Sequence, residues 1–185
     1  MDETRGVDTS QKAPRIDFAT LGLRDALDLA VLVEEEARDR YVELAEQMAA
    51  HRTPDAARFF RFMQQNEEKH RVALATRRQA LFGAEPVRVT RAMLFDVEAP
   101  EYDEVRAFMT LREALGTALR AEEKAGAFFA AALARITDPG VAELFAELAA
   151  EEVEHQRLVK VELAKAPPDP EVHPSAFSDP PQTID

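Results

Sequence analysis

Apolar residues recur at steps of three and four along four stretches of the chain, which is the spacing of a single buried helix face. The first stretch extends from Leu23 to about Met48. The second begins at Pro54, with Thr53 before it as the N-cap residue, and ends at about Leu81, shortly before a glycine. These patterns predict two amphipathic helices joined by a short turn.

Two further helices are predicted in the second half of the chain. The third opens with the capping-box pattern TLRE (110–113) and extends to about Ile136. The fourth follows TDPG (137–140), in which an aspartate precedes a proline at the first helical position, and extends to about Lys165. The predicted fold class is therefore all-α.

The segments outside the helices divide the chain. Residues 1–19 are predicted to be a flexible N-terminal segment, 20–165 a four-helix bundle, and 166–185 a disordered tail, because the tail holds six of the eleven prolines. The long connection 84–108 contains the apolar tetrapeptide AMLF (92–95). This tetrapeptide is expected to pack the connection onto the bundle or to form a dimer surface.

The chain also repeats itself. The segment LRDALDLAVLVEEEA (23–37) aligns with LREALGTALRAEEKA (111–125) at an offset of 88 residues. The motifs EEKH (67–70) and EVEH (152–155) align at an offset of 85. The repeat predicts two similar helical hairpins joined by a long crossover, which is a standard topology of four-helix bundles.

Each predicted helix carries a glutamate on its apolar face, and two helices add a histidine one turn later. Helical spacing and the internal repeat select the same six residues, which are Glu34, Glu67, His70, Glu122, Glu152 and His155. Other glutamates lie off the apolar faces and are expected to be solvated surface residues, namely Glu35, Glu36, Glu68, Glu123, Glu151 and Glu154.

Four carboxylates in one dry interior would destabilise the fold strongly unless something positive neutralised them. Lysine and arginine are absent from these faces, apart from the peripheral Arg38. Two divalent or trivalent ions would supply the charge, and carboxylate with imidazole suits iron or manganese. A single Glu-x-x-His motif is more often ordinary helix surface, but two copies, each matched by a glutamate from the preceding helix, favour a metal site.

The composition limits the other classes of function. The formal net charge of −12 argues against nucleic acid or an anionic membrane as a partner. The absence of cysteine excludes disulfides, zinc–thiolate sites and iron–sulfur clusters. No segment resembles a signal peptide or a transmembrane helix, so a cytoplasmic protein is expected.

With these motifs in place, the chain resembles the rubrerythrin-type, ferritin-like di-iron proteins over about residues 20–165. The segment EEEARDRY (34–41) is similar to the first ligand helix of that family, and TLREALGTALRAEEKAGAFF with ELFAELAAEEVEHQRL is similar to its second ligand pair. The resemblance implies that the six selected residues bind two iron ions, or manganese instead, with Glu67 and Glu152 as bridges between the metals.

Two departures from the family pattern are visible. Rubrerythrins have an additional glutamate one turn after the third-helix ligand, where this chain has Ala125, so the six-ligand set is more similar to that of bacterioferritin. They also usually carry a four-cysteine rubredoxin domain, so this chain is expected to need a separate electron-donor protein. Because family members often dimerise, a homodimer is expected.

The resemblance implies an oxidoreductase that reduces hydrogen peroxide, or dioxygen, in oxidative-stress defence. The alternatives are a ferroxidase for iron handling, a di-iron monooxygenase, which would need an apolar pocket beside the metals, and a helical interaction module without a metal centre. Tyr41, on the same face as Glu34, is interpreted either as a hydrogen-bond donor to a bridging carboxylate or an electron relay, or as core packing. His51 and His173 are expected to be exposed and inert.

Overall fold

The computed structural model describes residues 16–93 and 109–169. Within these ranges the chain forms four α-helices and no strand, as predicted, and they are α1 (Leu23–Ala50), α2 (Pro54–Phe82), α3 (Leu111–Leu133) and α4 (Pro139–Lys165). Most of the predicted flexible segment and tail, and the second half of AMLF, lie outside the described residues. None of these helices combines the length and the hydrophobicity that crossing a bilayer requires.

The N-terminal ends of the last two helices follow the sequence signals closely. The Thr110 hydroxyl accepts a hydrogen bond from the backbone N–H of Glu113, and the Glu113 carboxylate accepts one in return from the N–H of Thr110. At the start of α4, Asp138 Oδ1 accepts the N–H of Val141 at 3.0 Å. Both predicted caps are therefore formed by side chains.

One predicted side-chain cap and one predicted helix end differ from the structure. Thr53 occupies the N-cap position of α2, but its hydroxyl donates to the carbonyl of Met48 and does not cap the helix. Helix α3 ends at Leu133 and not at Ile136. Ile136, whose apolar character suggested a longer helix, packs against the first apolar cluster from beyond the helix end.

The helices pack as two hairpins, α1 with α2 and α3 with α4. Their core consists of two apolar clusters at different heights along the bundle. The first contains, among others, Leu27, Val33, Leu74, Phe129, Phe145 and Leu148. The second contains, among others, Tyr41, Met48, Phe60, Met63, Leu115 and Val159. On every helix, the glutamates and histidines that interrupt the apolar face lie between the residues of the two clusters.

The segment before α1 also contributes to the first cluster. Phe18, from the region predicted to be flexible, is buried, and its ring makes edge contacts with Phe128 and Phe145 at centroid distances of 5.7 and 5.9 Å. Arg135 lies over the same ring at 5.5 Å. The described part of this segment is therefore packed against the bundle.

A buried ion pair joins α1 to the end of α2. Arg78 Nε donates to Asp28 Oδ1 at 2.7 Å, and the same guanidinium donates to the carbonyl oxygens of Gly83 and Glu85. Gly83 ends α2 with a φ of +54°, which glycine adopts without steric cost. This arginine fixes the helix end, and its hydrogen bonds do not go to the six glutamates and histidines.

Candidate metal centre

A layer of polar side chains separates the two apolar clusters. All six residues selected from the sequence lie in it, because on each helix they stand between residues of the first and the second cluster. Glu34, for example, follows Val33 of the first cluster and precedes Tyr41 of the second. Of the six side chains, five are buried and His70 is half-buried.

One group in this layer is fully buried. Suitable ligand atoms of Glu67, Glu122 and His155 all lie within 4.8 Å of one another. His155 Nδ1 is 3.1 Å from Glu122 Oε2, 3.8 Å from Glu67 Oε1 and 4.0 Å from an oxygen of Glu152. The Nδ1 atom of His155 is therefore the ring nitrogen that faces the carboxylates.

A second group is more open to solvent. It consists of Glu34, His70 and Glu151, whose ligand atoms also lie within 4.8 Å of one another. His70 Nδ1 is 3.1 Å from Glu151 Oε2. The rings of His70 and His155 have centroids 5.0 Å apart, so the two groups adjoin each other.

Glu151 is a candidate that the sequence interpretation assigned to the solvated surface. Its carboxylate instead contacts His70, and 45% of its side chain remains exposed. The sequence does contain a signal for it, since Glu151 stands three residues after Leu148 and four before His155, which is helical spacing. The internal repeat concealed this signal because the equivalent position in α2 is Asn66.

The other glutamates that lie off the apolar faces are exposed or half-buried, and these are Glu35, Glu36, Glu68, Glu123 and Glu154. Among them, Glu68 accepts hydrogen bonds from Arg71 and Arg38, which lower its pKa to about 2. Arg38 also pairs with Asp39. This arginine is peripheral, as expected, and neutralises surface carboxylates.

The buried glutamates of the layer differ in their electrostatic environment. Burial raises the pKa of the Glu34 carboxyl to about 7, and the nearby His70 only partly offsets this effect. At Glu122, burial acts in the same direction, but His155, through its hydrogen bond and charge, together with hydrogen bonds from Glu152 and Tyr41, holds the pKa below its ordinary value. Glu34 therefore retains a proton to a much higher pH than Glu122 does.

Tyr41 belongs both to the polar layer and to the second apolar cluster. Its hydroxyl donates to Glu122 Oε1 at 2.6 Å, while its ring stacks on Phe60 with centroids 5.9 Å apart. The carboxylate that it contacts is not one of the two expected to bridge the metals. The two interpretations of Tyr41, as hydrogen-bond donor and as core residue, thus describe different parts of one side chain.

The donors in this layer fit a pair of metal ions. Glu34 Oε2 is buried and has no hydrogen-bond partner, which is costly for an oxygen that no cation contacts. The positive groups that act most on Glu34 are His70 and His155, not lysine or arginine. Carboxylate oxygens with two imidazole nitrogens are a donor set that iron and manganese accept.

Other residues considered in the sequence lie elsewhere. The expectation that His51 is exposed is wrong, because it caps the C-terminal end of α1 and is half-buried there, and His173 lies outside the described residues. An apolar pocket of about 370 Å³ opens where α2, α3 and α4 meet, and it is lined by Asp55, Arg58, Phe59, Phe62, Leu111, Leu115, Leu158, Val161 and Glu162. None of the six selected residues lines it, and Leu115 precedes Glu122 by about 10 Å of helix.

Comparison with known proteins identifies the family. The rubrerythrin family model matches residues 25–106 and 113–181. An uncharacterised conserved protein from Magnetospirillum magnetotacticum, known from its crystal structure, is 30% identical to this chain in sequence. The two structures align with a TM-score of 0.66 over 83% of this chain and 100% of that chain. A hypothetical protein from Pyrococcus furiosus, 22% identical, shares the fold with a TM-score of 0.51 over 79% of this chain and 90% of its own. No curated protein matches the chain. The bundle has the ferritin-like fold expected from the sequence, and the chain belongs to the rubrerythrin family.

Proposed function

We propose that this protein is a di-iron oxidoreductase that reduces hydrogen peroxide in oxidative-stress defence, with manganese as the alternative metal. The metal pair would be held by the six residues of the polar layer, namely Glu34, Glu67, His70, Glu122, Glu152 and His155. Membership of the rubrerythrin family, whose proteins are di-iron proteins, supports the metal. The reaction and the roles of these residues are inferred from the site.

The observation that carries the proposal is the position of four buried carboxylates between two apolar clusters. Glu34, Glu67, Glu122 and Glu152 are each at most 2% exposed. Buried carboxylates persist in folded proteins when they are protonated, paired or bound to metal. The groups Glu34–His70–Glu151 and Glu67–Glu122–His155 offer two adjacent places for cations, which matches a dinuclear centre.

The metal pair, when bound, would supply two electrons to hydrogen peroxide, which with two protons becomes two water molecules. The chain's own residues would orient and enclose the pair. Tyr41 holds Glu122 Oε1 through its hydroxyl, which leaves Glu122 Oε2 facing His155. The apolar clusters above and below the layer exclude bulk water from its buried half, which consists of Glu67, Glu122 and His155.

The access to the layer favours a small oxidant. His70 and Glu151 are the most exposed members of the two groups, so a molecule would approach the layer between α2 and α4. Hydrogen peroxide and dioxygen are small enough for such an opening. A di-iron monooxygenase would need an apolar pocket at the metals, and the pocket beside Phe59 and Leu115 does not include any of the six residues.

The electrons would come from a separate donor protein, since this chain contains no cysteine and therefore no rubredoxin-type site.

A ferroxidase that oxidises iron for storage is the second candidate. The half-exposed carboxylate of Glu151 beside His70 favours it, because ferrous ions could reach the layer from solvent there. The homodimer and the cytoplasmic location expected from the sequence remain predictions.

Stopped-flow oxidation of the anaerobically iron-loaded protein by hydrogen peroxide and by dioxygen tests the proposal. We expect peroxide to produce ferric absorbance at least about tenfold faster than dioxygen at equal concentration, a difference of about 1.4 kcal/mol in barrier. Faster reaction with dioxygen followed by release of ferric iron would instead favour the ferroxidase.

Variants of the proposed ligands test the metal site, and a variant of an exposed glutamate is their control. Glu67→Ala and Glu152→Ala should fail to load two iron ions, because each removes a buried carboxylate of the layer. Glu123→Ala removes an exposed carboxylate paired with Lys160 and should load like the wild type. Unchanged stoichiometry in both metal-site variants would refute the assigned centre.

A further inference from the structure

We propose that Glu151 is a further metal ligand, which completes with Glu34 and His70 the more open half of the centre. This inference rests on the proposed metal site and adds to it a residue outside the six. It also makes the two metal positions unequal, one enclosed in the bundle and one in contact with solvent.

The orientation of the two imidazole rings gives the first argument. His155 directs Nδ1 towards the carboxylates of Glu122 and Glu67, so Nδ1 is its metal-facing nitrogen. His70 directs the same atom, Nδ1, towards Glu151 Oε2 at 3.1 Å. A carboxylate that only oriented His70 from behind would contact the other ring nitrogen. Glu151 therefore stands on the metal side of His70.

The second argument is the buried oxygen next to this pair. Glu34 Oε2 has no hydrogen-bond partner although Glu34 is only 2% exposed. Glu34 offers a ligand atom within 4.8 Å of ligand atoms of both His70 and Glu151. A cation among these three groups would neutralise a buried carboxylate with one imidazole and a second carboxylate, which is a common coordination set for iron.

The two groups differ in exposure, which determines how readily each would exchange its metal ion. Glu67, Glu122 and His155 are all buried, whereas 24% of the His70 side chain and 45% of the Glu151 side chain are exposed. Exchange with solvent is easier where a ligand can swing out into water. The ion at Glu34, His70 and Glu151 should therefore be the one that binds second, is released first, and depends on Glu151.

Anaerobic titration with Co²⁺ alone, followed by its visible spectrum, tests this inference in the full chain. The variant Glu151→Gln keeps the size of the side chain and removes its charge. The matched control is Glu147→Gln, because Glu147 lies one turn earlier on α4, is 50% exposed, and also bridges to α2 through Arg77. Circular dichroism melting of the metal-free proteins checks that all three fold alike.

We expect wild type and Glu147→Gln to bind two equivalents of Co²⁺. In Glu151→Gln one equivalent should bind as in wild type, while the other should be weakened by about 10- to 100-fold with a changed spectrum. Two equivalents at wild-type affinity in Glu151→Gln would overturn the inference and leave the proposed function standing. Weaker binding with an unchanged spectrum would show that Glu151 does not bind the metal directly. Loss of both equivalents would show that Glu151 does not serve only the more open metal position. Either outcome would overturn the inference. Failure of the wild type to bind Co²⁺ would overturn the metal centre itself.

Discussion

The hydrogen bond from Tyr41 to Glu122 links the two halves of the repeat at the level of single residues. Both side chains are buried, and the two Glu122 oxygens have separate partners, the Tyr41 hydroxyl and His155 Nδ1. Phe129 is the counterpart of Tyr41 in the repeat and has no hydroxyl. The repeat therefore supplies no equivalent donor for Glu34. The pKa of the Glu34 carboxyl is raised, whereas that of Glu122 is lowered.

Replacement of Tyr41 by phenylalanine should lower the free energy of unfolding of the metal-free protein by about 1.5–3 kcal/mol, the usual contribution of a hydrogen bond to a charged group. Urea unfolding followed by circular dichroism measures this change. In a Glu122→Gln background the same substitution should cost clearly less, because the charged acceptor is gone. An equal loss in both backgrounds would show that Tyr41 acts through packing alone.

The sequence predicted six residues of the layer but missed Glu151, and the difference has a physical reason. Glu34 and Glu122 interrupt an apolar face on their own helices, so helical periodicity and the repeat both reveal them. The contact between Glu151 and His70 joins α4 to α2. It depends on how the two helices are rotated about their axes, which spacing within either helix does not determine.

At the scale of helices, the starting points of α3 and α4 were predictable because their side-chain capping is a local interaction. Asp138 accepts the N–H of Val141 within one turn, and Pro139 occupies a position where no N–H is needed. The end of α3 was misplaced because it has no such local signal. Ile136 packs against the first apolar cluster after the helix has already ended, so its apolar character reflects tertiary contact.

The cap of α4 gives a prediction with a close control. Asp138→Ala should lower the free energy of unfolding by about 1 kcal/mol, because the N–H of Val141 loses its acceptor. Asp138→Asn should lose less, since asparagine is also a favourable N-cap residue and only the charge–dipole interaction is removed. Urea unfolding at neutral pH measures both variants. If the asparagine variant were as unstable as the alanine variant, the charge and not the cap would be the important feature.

At the scale of the whole molecule, two apolar clusters hold the bundle together and a polar layer interrupts it between them. Such a layer weakens the metal-free protein, because burial disfavours charge on its carboxyl groups. The repeat supplies both halves of the layer, but the halves are unequal in exposure and in pKa. The sequence predicted the positions of six members of the layer, whereas the contact of Glu151 and this inequality arise only when the four helices are packed together.

The difference in pKa between Glu34 and Glu122 should be visible in the stability of the metal-free protein as a function of pH. The pKa of the Glu34 carboxyl is about 7 in the folded protein because the group is buried, against an ordinary value of 4.5. Between these values the unfolded chain releases its proton while the folded protein keeps it. Stability must therefore fall as pH rises through this window, and a metal ion at Glu34 would replace the proton.

The variant Glu34→Gln isolates this contribution because glutamine carries no charge at any of these pH values. Relative to Glu34→Gln, the wild type should lose up to about 3 kcal/mol of unfolding free energy as pH rises from about 5 to about 8. The pKa of His70 is also raised above its ordinary value of 6.5, by its hydrogen bond with Glu151, so the stabilisation from this pair is lost as pH rises above that value. Glu34 and His70 act on each other's pKa, so the difference between the two proteins reports on Glu34 together with its interaction with His70. Glu123→Gln, at an exposed position, should follow the wild-type profile in urea unfolding across the same pH series. Parallel profiles for wild type and Glu34→Gln would mean that Glu34 is already ionised in the metal-free fold, and the electrostatic case for a cation beside it would rest on geometry alone.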